Sequence, residues 1–363
     1  METIENLRVK IDEIDDEILE LLNQRMSLVT KIGELKNASG APIYRPERER
    51  AIIARLGEKR LKFMPKRAIE AIFYEIFSIS RNLEKPQNVA FLGPIGTYSH
   101  GAAKSKFGAI SSYLPLASIE AVFTSIANGE AKYALVPAEN NTEGAVGATL
   151  DCLAKYQNVK IVGEIYMDIH HSFASNCEKL SDIQKIFSHP QGYNQCLKFL
   201  EDHGLTKVEF VPSKSTALAA YNAAQTPNCA AICSPIAASI YNLPIMFEKI
   251  EDNLANRTRF FVLSDFKSPK TNADKTTIFA KTTHEPGSLA QLLGMFYDEN
   301  INLTKLESRP IYGKPWEEMF YLEIEANIHH PDIQEALEEL KNCSNYLKIL
   351  GCYPSEIVKP VNL

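Results

Sequence analysis

The chain has 363 residues, 45% hydrophobic and 23% charged, with a formal net charge of −6, which fits a globular protein of two or three domains and gives no sign of a nucleic-acid-binding surface. It has no run of 18 apolar residues, and its start, METIENLRVKIDEIDD, is acidic and amphipathic, so neither a membrane-spanning helix nor a secretion signal is indicated. Seven cysteines are scattered without a CxxC; this argues against a disulfide framework or a zinc site, favours a reducing cytoplasm, and leaves no metal or cofactor to expect.

Two breaks divide the chain. A helical pattern stops at Glu84-Lys85-Pro86-Gln87-Asn88, and a polar linker runs from Lys267 to Lys275. They predict domains at 1–86, 88–267 and 275–354. The first segment reads as all-helical. Ile4, Leu7, Ile11, Ile14, Ile18, Leu21, Leu28, Ile32 and Leu35 recur at 3,4 spacing, the seam of one long helix. Pro46 suits the first position of a second helix, and Ile69, Ile72, Phe73, Ile76 and Phe77 mark a third over about 65–84. Two short helices cannot cover so long a seam, which predicts a homodimer through the long helix.

Residues 1–86 hold 16 Lys/Arg against 15 Asp/Glu, and nine Lys/Arg against three Glu fall within 45–67. A solvated charged helix and an anion site both fit that excess. In the long helix Arg25 stands where the spacing wants an apolar residue, while Arg8 and Lys36 flank the same stripe. Burying an unpaired guanidinium is costly, so the choice is a structural ion pair or an anionic ligand; three cations along one seam favour the ligand. Ser80 and Glu84 extend the apolar face of the third helix beyond Ile76.

With Leu7-Arg8, Gln24-Arg25, Ile32-Gly33-Glu34-Leu35-Lys36, Pro46–Arg50, Ser80 and Glu84, the segment resembles the helical chorismate mutases. The resemblance implies that Arg8 of the second chain and Arg25 clamp the two carboxylates of chorismate. Lys36 and Glu84 would contact its ether oxygen, Glu49 its ring hydroxyl and Ser80 a carboxylate, with Arg48 beside the site. Arg45 stands where the family often has an acidic residue, and Glu84 where many relatives have Gln. A pericyclic rearrangement needs no nucleophile or proton, only a compact substrate shape and stabilisation of charge growing on the ether oxygen.

The middle segment alternates strands and helices. Strand-like runs are Val89–Leu92, Tyr133–Val136, Val159–Tyr166, Lys185–Ser188, Val208–Val211, Cys229–Cys233 and Phe260–Ser264, an α/β arrangement. Strand ends run into hydroxyl- and amide-rich turns at Phe91–His100, Val136–Gly144, Ser188–Gln191 and Ser213–Ala217. Each alone is explained by helix capping; four together suggest a cleft for a small carboxylate. Arg257-Thr258-Arg259 is expected just before a strand, as a loop entering a sheet edge or as a site. His170-His171 is expected on a strand, pointing to opposite faces, and so not as a metal pair.

Gly93–Ala103, Glu139–Val146, His189-Pro190-Gln191, Ser215-Thr216-Ala217, Ile250-Glu251-Asp252 and Asn256-Arg257-Thr258-Arg259-Phe260 together resemble the prephenate dehydratases over nearly all of 88–266, with Asn141 in place of the usual Ser. That implies a two-lobed domain like the periplasmic binding proteins, with prephenate between the lobes. Thr258 would be the key catalytic residue, donating to the leaving hydroxyl. Thr97, Ser99, Asn140, Asn141, Thr142, Ser215, Thr216 and Arg259 would line the site, Arg259 as positive potential.

The last segment reads βαββαβ: strand 276–283, helix 287–299, strands 301–311 and 316–326, helix 331–342, strand 347–352. This is the α+β ferredoxin-like order. Glu285-Pro286-Gly287-Ser288-Leu289-Ala290 and Glu307-Ser308-Arg309-Pro310 resemble the two phenylalanine-contact motifs of ACT domains. Gly287, Ser288, Leu289, Ala290, Glu307, Ser308 and Arg309 are then the expected phenylalanine contacts. The three segments in order resemble the bifunctional chorismate mutase/prephenate dehydratases, inhibited by phenylalanine. The rivals are a dehydratase preferring arogenate and an amino-acid sensor whose catalytic sites have decayed.

Overall fold

The computed structural model describes residues 3–39, 46–59, 61–84, 86, 88–268, 270–271, 274–282, 285–310, 317–343 and 346–355. The chain divides into two compact units, residues 1–87 with 107–112, and residues 88–106 with 113–363.

The first unit is built from α1 (Ile4–Ser39), α2 (Pro46–Gly57) and α3 (Lys66–Glu84). The apolar seam of α1 yields a single helix of 36 residues, about 54 Å long at 1.5 Å per residue. Val29 of α1, Ile53 of α2 and Ile69, Ile76 and Phe77 of α3 form its buried core. Most of the α1 seam stays uncovered: Leu21, Leu28 and Leu35 are 61–72% exposed, and Ile4, Ile11, Ile14 and Ile18 are about half exposed or more. Aligned apolar surface of this extent marks an interaction face.

The second unit opens with a lobe made of β1 (Asn88–Leu92), α4 (Tyr98–Phe107), β2 (Ser112–Leu116), α5 (Ile119–Ala127), β3 (Tyr133–Asn140), β4 (Gly144–Ala145), α6 (Gly147–Lys155) and β5 (Lys160–Asp168). The chain then crosses to a second lobe of β6 (Ser172–Ser175), β7 (Lys185–Ser188), α7 (Pro190–Asn194), α8 (Leu197–Asp202), β8 (Glu209–Pro212), α9 (Thr216–Gln225), β9 (Cys229–Cys233), α10 (Pro235–Ile240) and β10 (Ile245–Phe247). It returns to the first lobe as β11 (Arg257–Ser264). The sheet orders are β2-β1-β3-β11-β5, with β4 on β3, and β10-β6-β9-β7-β8. Two crossings between two sheets give the two-lobed form.

Two expectations are corrected here. Arg257, Thr258 and Arg259 are not a loop before a strand: they open β11, which is central, antiparallel to both β3 and β5. A buried strand is expected to read as apolar and this run is polar; each of its arginines finds a carboxylate. His170 and His171 lie between β5 and β6 rather than on a strand. Glu251 from the other crossing holds them, through His170 Nδ1 at 2.6 Å and the backbone N–H of His171 at 2.8 Å.

The unit ends in β12 (Asp274–Lys281), α11 (Ser288–Asp298), β13 (Leu303–Pro310), β14 (Glu318–Ile324), α12 (Pro331–Cys343) and β15 (Tyr346–Pro354). Their sheet order is β13-β14-β12-β15, antiparallel throughout, the ferredoxin-like topology. Strand alternation gives this sheet two apolar faces. Ile278, Ala280, Leu322 and Ile324 pack against α11 and α12, while Phe279, Tyr321 and Tyr353 join the core of the first lobe with α5 and α6. At Gly351 the backbones come so close that a Cβ would stand 2.2 Å from the Ile161 carbonyl oxygen; only glycine permits that approach.

Candidate active sites

In the helical unit Arg25, Arg48, Ala51, Ile52, Arg55 and Phe73 line a cavity of about 380 Å³. Burial, and then the neighbouring Arg48, lower the pKa of Arg25 from the ordinary arginine value, with Glu49 opposing. Two cations held together in a half-buried cavity favour an anionic ligand. Arg25 also donates to the Ser80 hydroxyl at 2.5 Å, and Ser80 donates to the Ile76 carbonyl at 2.6 Å. Lys36 and Glu84 form an ion pair at 2.7 Å. Arg25, Arg48, Lys36, Ser80 and Glu84 thus converge on α1, α2 and α3.

Glu49, expected to accept from the ring hydroxyl, pairs with buried Arg81, whose guanidinium also lies 5.9 Å from the Phe107 ring centroid. Arg55 and Arg81 were missed. Arg55 sits two turns after Arg48 on one face of α2, a signal the spacing carried; Arg81 gave none, since nothing in the pattern near it is interrupted. Arg8 is exposed on α1. Arg45 lies outside the described residues.

In the two-lobed domain the four polar junctions meet. A Cβ on Gly96, at φ +91°, would lie 3.3 Å from both Ala217 Cβ and Ala237 Cα, and Ser234 donates to the Gly96 carbonyl at 2.9 Å. A methyl on Gly192 would lie 3.3 Å from Thr216 Cγ2 and 3.2 Å from Ser188 Oγ. Gln191 donates to Glu143 across the two lobes.

Hydrogen bonding fixes the centre of this site. The Asn140 carbonyl oxygen accepts from the Thr142 backbone N–H at 2.9 Å and the Thr142 hydroxyl at 2.5 Å. A backbone N–H can only donate, so the Asn140 amide nitrogen must face the other way. It donates to Asn256 at 2.8 Å and to Thr258 Oγ1 at 2.9 Å. Thr258 Oγ1 is therefore an acceptor from Asn140, which leaves its own proton for another partner. Asn141 spends both ends on the same segment, donating to the Ala255 carbonyl at 2.5 Å and accepting from the Arg257 N–H at 2.9 Å.

The other expected residues divide. Thr97 donates to the Leu92 and Pro94 carbonyls at 3.1 and 3.0 Å, and Ser215 caps α9 through the Leu218 N–H at 3.0 Å, so these hydroxyls shape the junctions. Ser99 is buried and Thr216 half-buried. Ser213, which opens the fourth junction, has a buried hydroxyl with no hydrogen-bond partner among the described residues. Arg259 lies on the face of β11 opposite Thr258, bonded to Glu164 at 2.6 Å and to Glu323 at 2.6 Å.

In the third domain Gly287, at φ +87°, caps α11, and Ser288 donates to the Glu285 carbonyl at 2.9 Å. Leu289 is half-buried and Ala290 exposed. Glu307, Ser308 and Arg309 lie on β13, whose residues alternate half-buried and exposed. Arg309 reaches Asp151 of α6 at 2.8 Å, and its Nε is buried without a hydrogen-bond partner among the described residues.

A helical unit with arginines lining a cavity, a two-lobed domain with an Asn–Thr pair and a ferredoxin-like domain docked on it define a multidomain biosynthetic enzyme with an appended regulatory module. Family models agree: chorismate mutase type II matches residues 7–85, prephenate dehydratase 89–268 and the ACT domain 276–343. The bifunctional chorismate mutase/prephenate dehydratase of Aquifex aeolicus (strain VF5) is 39% identical, covering 99% of this chain and 100% of its own length. That of Escherichia coli (strain K12) is 36% identical, covering 98% and 97%. A prephenate dehydratase from Arthrobacter aurescens, solved in complex with L-Phe, aligns with a TM-score of 0.69 at 31% identity, over 76% of this chain and 92% of its own. The chain belongs to the family of bifunctional chorismate mutase/prephenate dehydratases. It is an enzyme with an isomerase and a carbon–oxygen lyase activity. No described helix is long and apolar enough to cross a membrane.

Proposed function

We propose that this chain works in the cytoplasm as a homodimer, takes chorismate to prephenate and prephenate to phenylpyruvate, and is inhibited by phenylalanine. The exposed seam of α1 supports the dimer, in which Arg8 of the second chain completes the mutase site. Arg25 and Arg48 bind the substrate carboxylates with Ser80, Glu49 takes the ring hydroxyl, and Lys36 and Glu84 stabilise the ether oxygen as its bond to carbon breaks. Arg45 is a further expected contact of chorismate.

In dehydration the carbon–carbon bond to the leaving carboxylate breaks, its electron pair enters the ring, and the ring hydroxyl leaves. The Thr258 hydroxyl donates a hydrogen bond to that oxygen and keeps its own proton; the oxygen leaves as hydroxide with the carbon–oxygen bonding pair, stabilised by that hydrogen bond, and is neutralised in bulk solvent. Asn140 and Thr142 hold Thr258 in place; Thr97, Ser99, Asn141, Ser215 and Thr216 shape the cleft. The observation that carries this reading is the hydrogen bond from the Asn140 amide to Thr258 Oγ1 at 2.9 Å, which leaves the threonine as a donor. Phenylalanine binds through Gly287, Ser288, Leu289, Ala290, Glu307, Ser308 and Arg309.

The test is Thr258→Val, which keeps shape and removes the donor. Losing one preorganised donor costs about 10²–10³ in turnover, so prephenate turnover should fall by about that factor while chorismate turnover is unchanged. Equal loss of both, or neither, contradicts the assignment.

A further inference from the structure

The most deeply buried group of charges among the described residues lies away from Thr258's hydroxyl, between β11 and the ACT sheet. Glu164, Arg259, Lys275 and Glu323 are all buried. Arg259 NH2 meets Glu164 Oε2 at 2.6 Å and NH1 meets Glu323 Oε1 at 2.6 Å. Arg259 also donates to the Tyr353 hydroxyl at 3.2 Å. Lys275 Nζ lies 3.1 Å from Glu164 and 3.7 Å from Glu323, and Glu139, paired with Lys305, lies 3.7 Å from Arg259, so three cations face three anions. Burial works against the Arg259 charge, yet Tyr353, Glu323 and Glu164 raise its pKa above the ordinary arginine value. Burial alone would push the Glu323 carboxyl up, and Arg259 and Lys275 hold it below the usual range.

The partners come from different domains. Glu164 is on β5, while Glu323, Lys275 and Tyr353 are on β14, β12 and β15 of the ACT sheet. Arg259 is the residue after Thr258, so whatever anchors its guanidinium fixes where β11 presents the threonine. On the ACT side, Tyr321 donates to Glu323 at 2.5 Å, and Tyr321 stands opposite Glu307 in the β13–β14 register. A second contact runs beside it: Lys305 of β13 pairs at 2.5 Å with Glu139, the neighbour of Asn140.

We propose that Arg259 is a positioning residue of the dehydratase site whose second anchor, Glu323, belongs to the ACT sheet, and that phenylalanine acts on dehydration through this pair. The inference rests on the reading of the ACT domain as the phenylalanine site. A shift of β14 relative to β5 pulls Arg259 between Glu323 and Glu164, the nearest of its three carboxylates, and moves Thr258 with it; the packed, charge-balanced group has no slack to absorb the shift.

The test uses the full-length chain with Glu323→Gln, which keeps shape and removes the charge. Prephenate turnover is measured across phenylalanine concentrations, with phenylalanine binding followed by calorimetry in the same samples. The variant should bind phenylalanine as the parent does. Its kcat for prephenate should change at least threefold with little change in KM, and the inhibition reached at saturating phenylalanine should fall at least threefold. Glu323→Asp should recover most of the sensitivity. A parent that phenylalanine does not inhibit defeats the reading of the ACT domain and the proposal with it. A normally inhibited parent beside an equally inhibited Glu323→Gln, with kcat unchanged, defeats the proposal alone. If Glu323→Gln does not fold, Tyr353→Phe replaces it: at least a threefold loss of sensitivity supports the link, and parent-like inhibition overturns it.

Discussion

Thr258 and Glu84 pose the same chemical question, where a proton sits, and the surroundings answer it differently. For Thr258 the answer comes from a fixed amide, since Asn140 must present its nitrogen once Thr142 has taken its oxygen. For Glu84 the structure gives an ion pair with Lys36, and a carboxylate donates to an ether oxygen only when protonated. Glu84→Gln, whose amide N–H is a donor of nearly the same shape, should therefore keep or raise chorismate turnover, while Glu84→Ala should lower it by about 10²–10³. A Gln variant as impaired as the Ala variant contradicts this role. Arg25 was legible because it interrupts an apolar stripe. Arg259 was legible only as part of a family signature, and its role was not, because Glu164 and Glu323 lie 95 and 64 residues away in the chain and no local pattern announces such partners.

Long periodic elements were legible, and short ones only where they bring their own signal. The α1 seam predicts a helix nearly as long as the 36 residues found, and the six elements of the ACT domain appear in the expected order. Strands of four or five residues such as β1, β7 and β9 carry consecutive apolar or β-branched residues and are expected, whereas β2 contains Pro115, β6 is flanked by serines and β10 has three residues, so none of these presents a strand pattern. The seam of α1 also carries a prediction of its own. Each leucine or isoleucine fully buried contributes about 1.5–3 kcal/mol, so a charge placed there opposes pairing strongly. Ile18→Glu should shift the chain from dimer to monomer in sedimentation and reduce chorismate turnover severely, since the site then loses Arg8 of the second chain. Prephenate turnover should survive. A stable dimer with full mutase activity would exclude α1 as the interface.

At the scale of the molecule, the ACT sheet has a helix-covered face and a face built into the first dehydratase lobe. Its docking is sequence-encoded at points where side chains are absent or unusual: Gly351 against Ile161, and Lys348, whose ammonium donates to the carbonyls of Leu153, Ala154 and Tyr156 at 2.6, 3.1 and 2.9 Å at the end of α6. Burial, and then Lys160, depress this lysine to about 8. Gly351→Val should force β15 away from β5, lower the melting temperature and weaken control by phenylalanine more than it weakens mutase activity; an unchanged melting temperature would contradict the close approach. None of this docking was readable beforehand, because it depends on which faces two separately predictable sheets turn to each other. The order of the segments was readable, and with it the sequence of two reactions and one control.

The most direct test supplies chorismate alone to the purified chain and follows prephenate and phenylpyruvate with and without phenylalanine. The account predicts that phenylpyruvate forms from chorismate and that phenylalanine suppresses its formation. Prephenate accumulating without phenylpyruvate, or phenylpyruvate formation indifferent to phenylalanine, would contradict it.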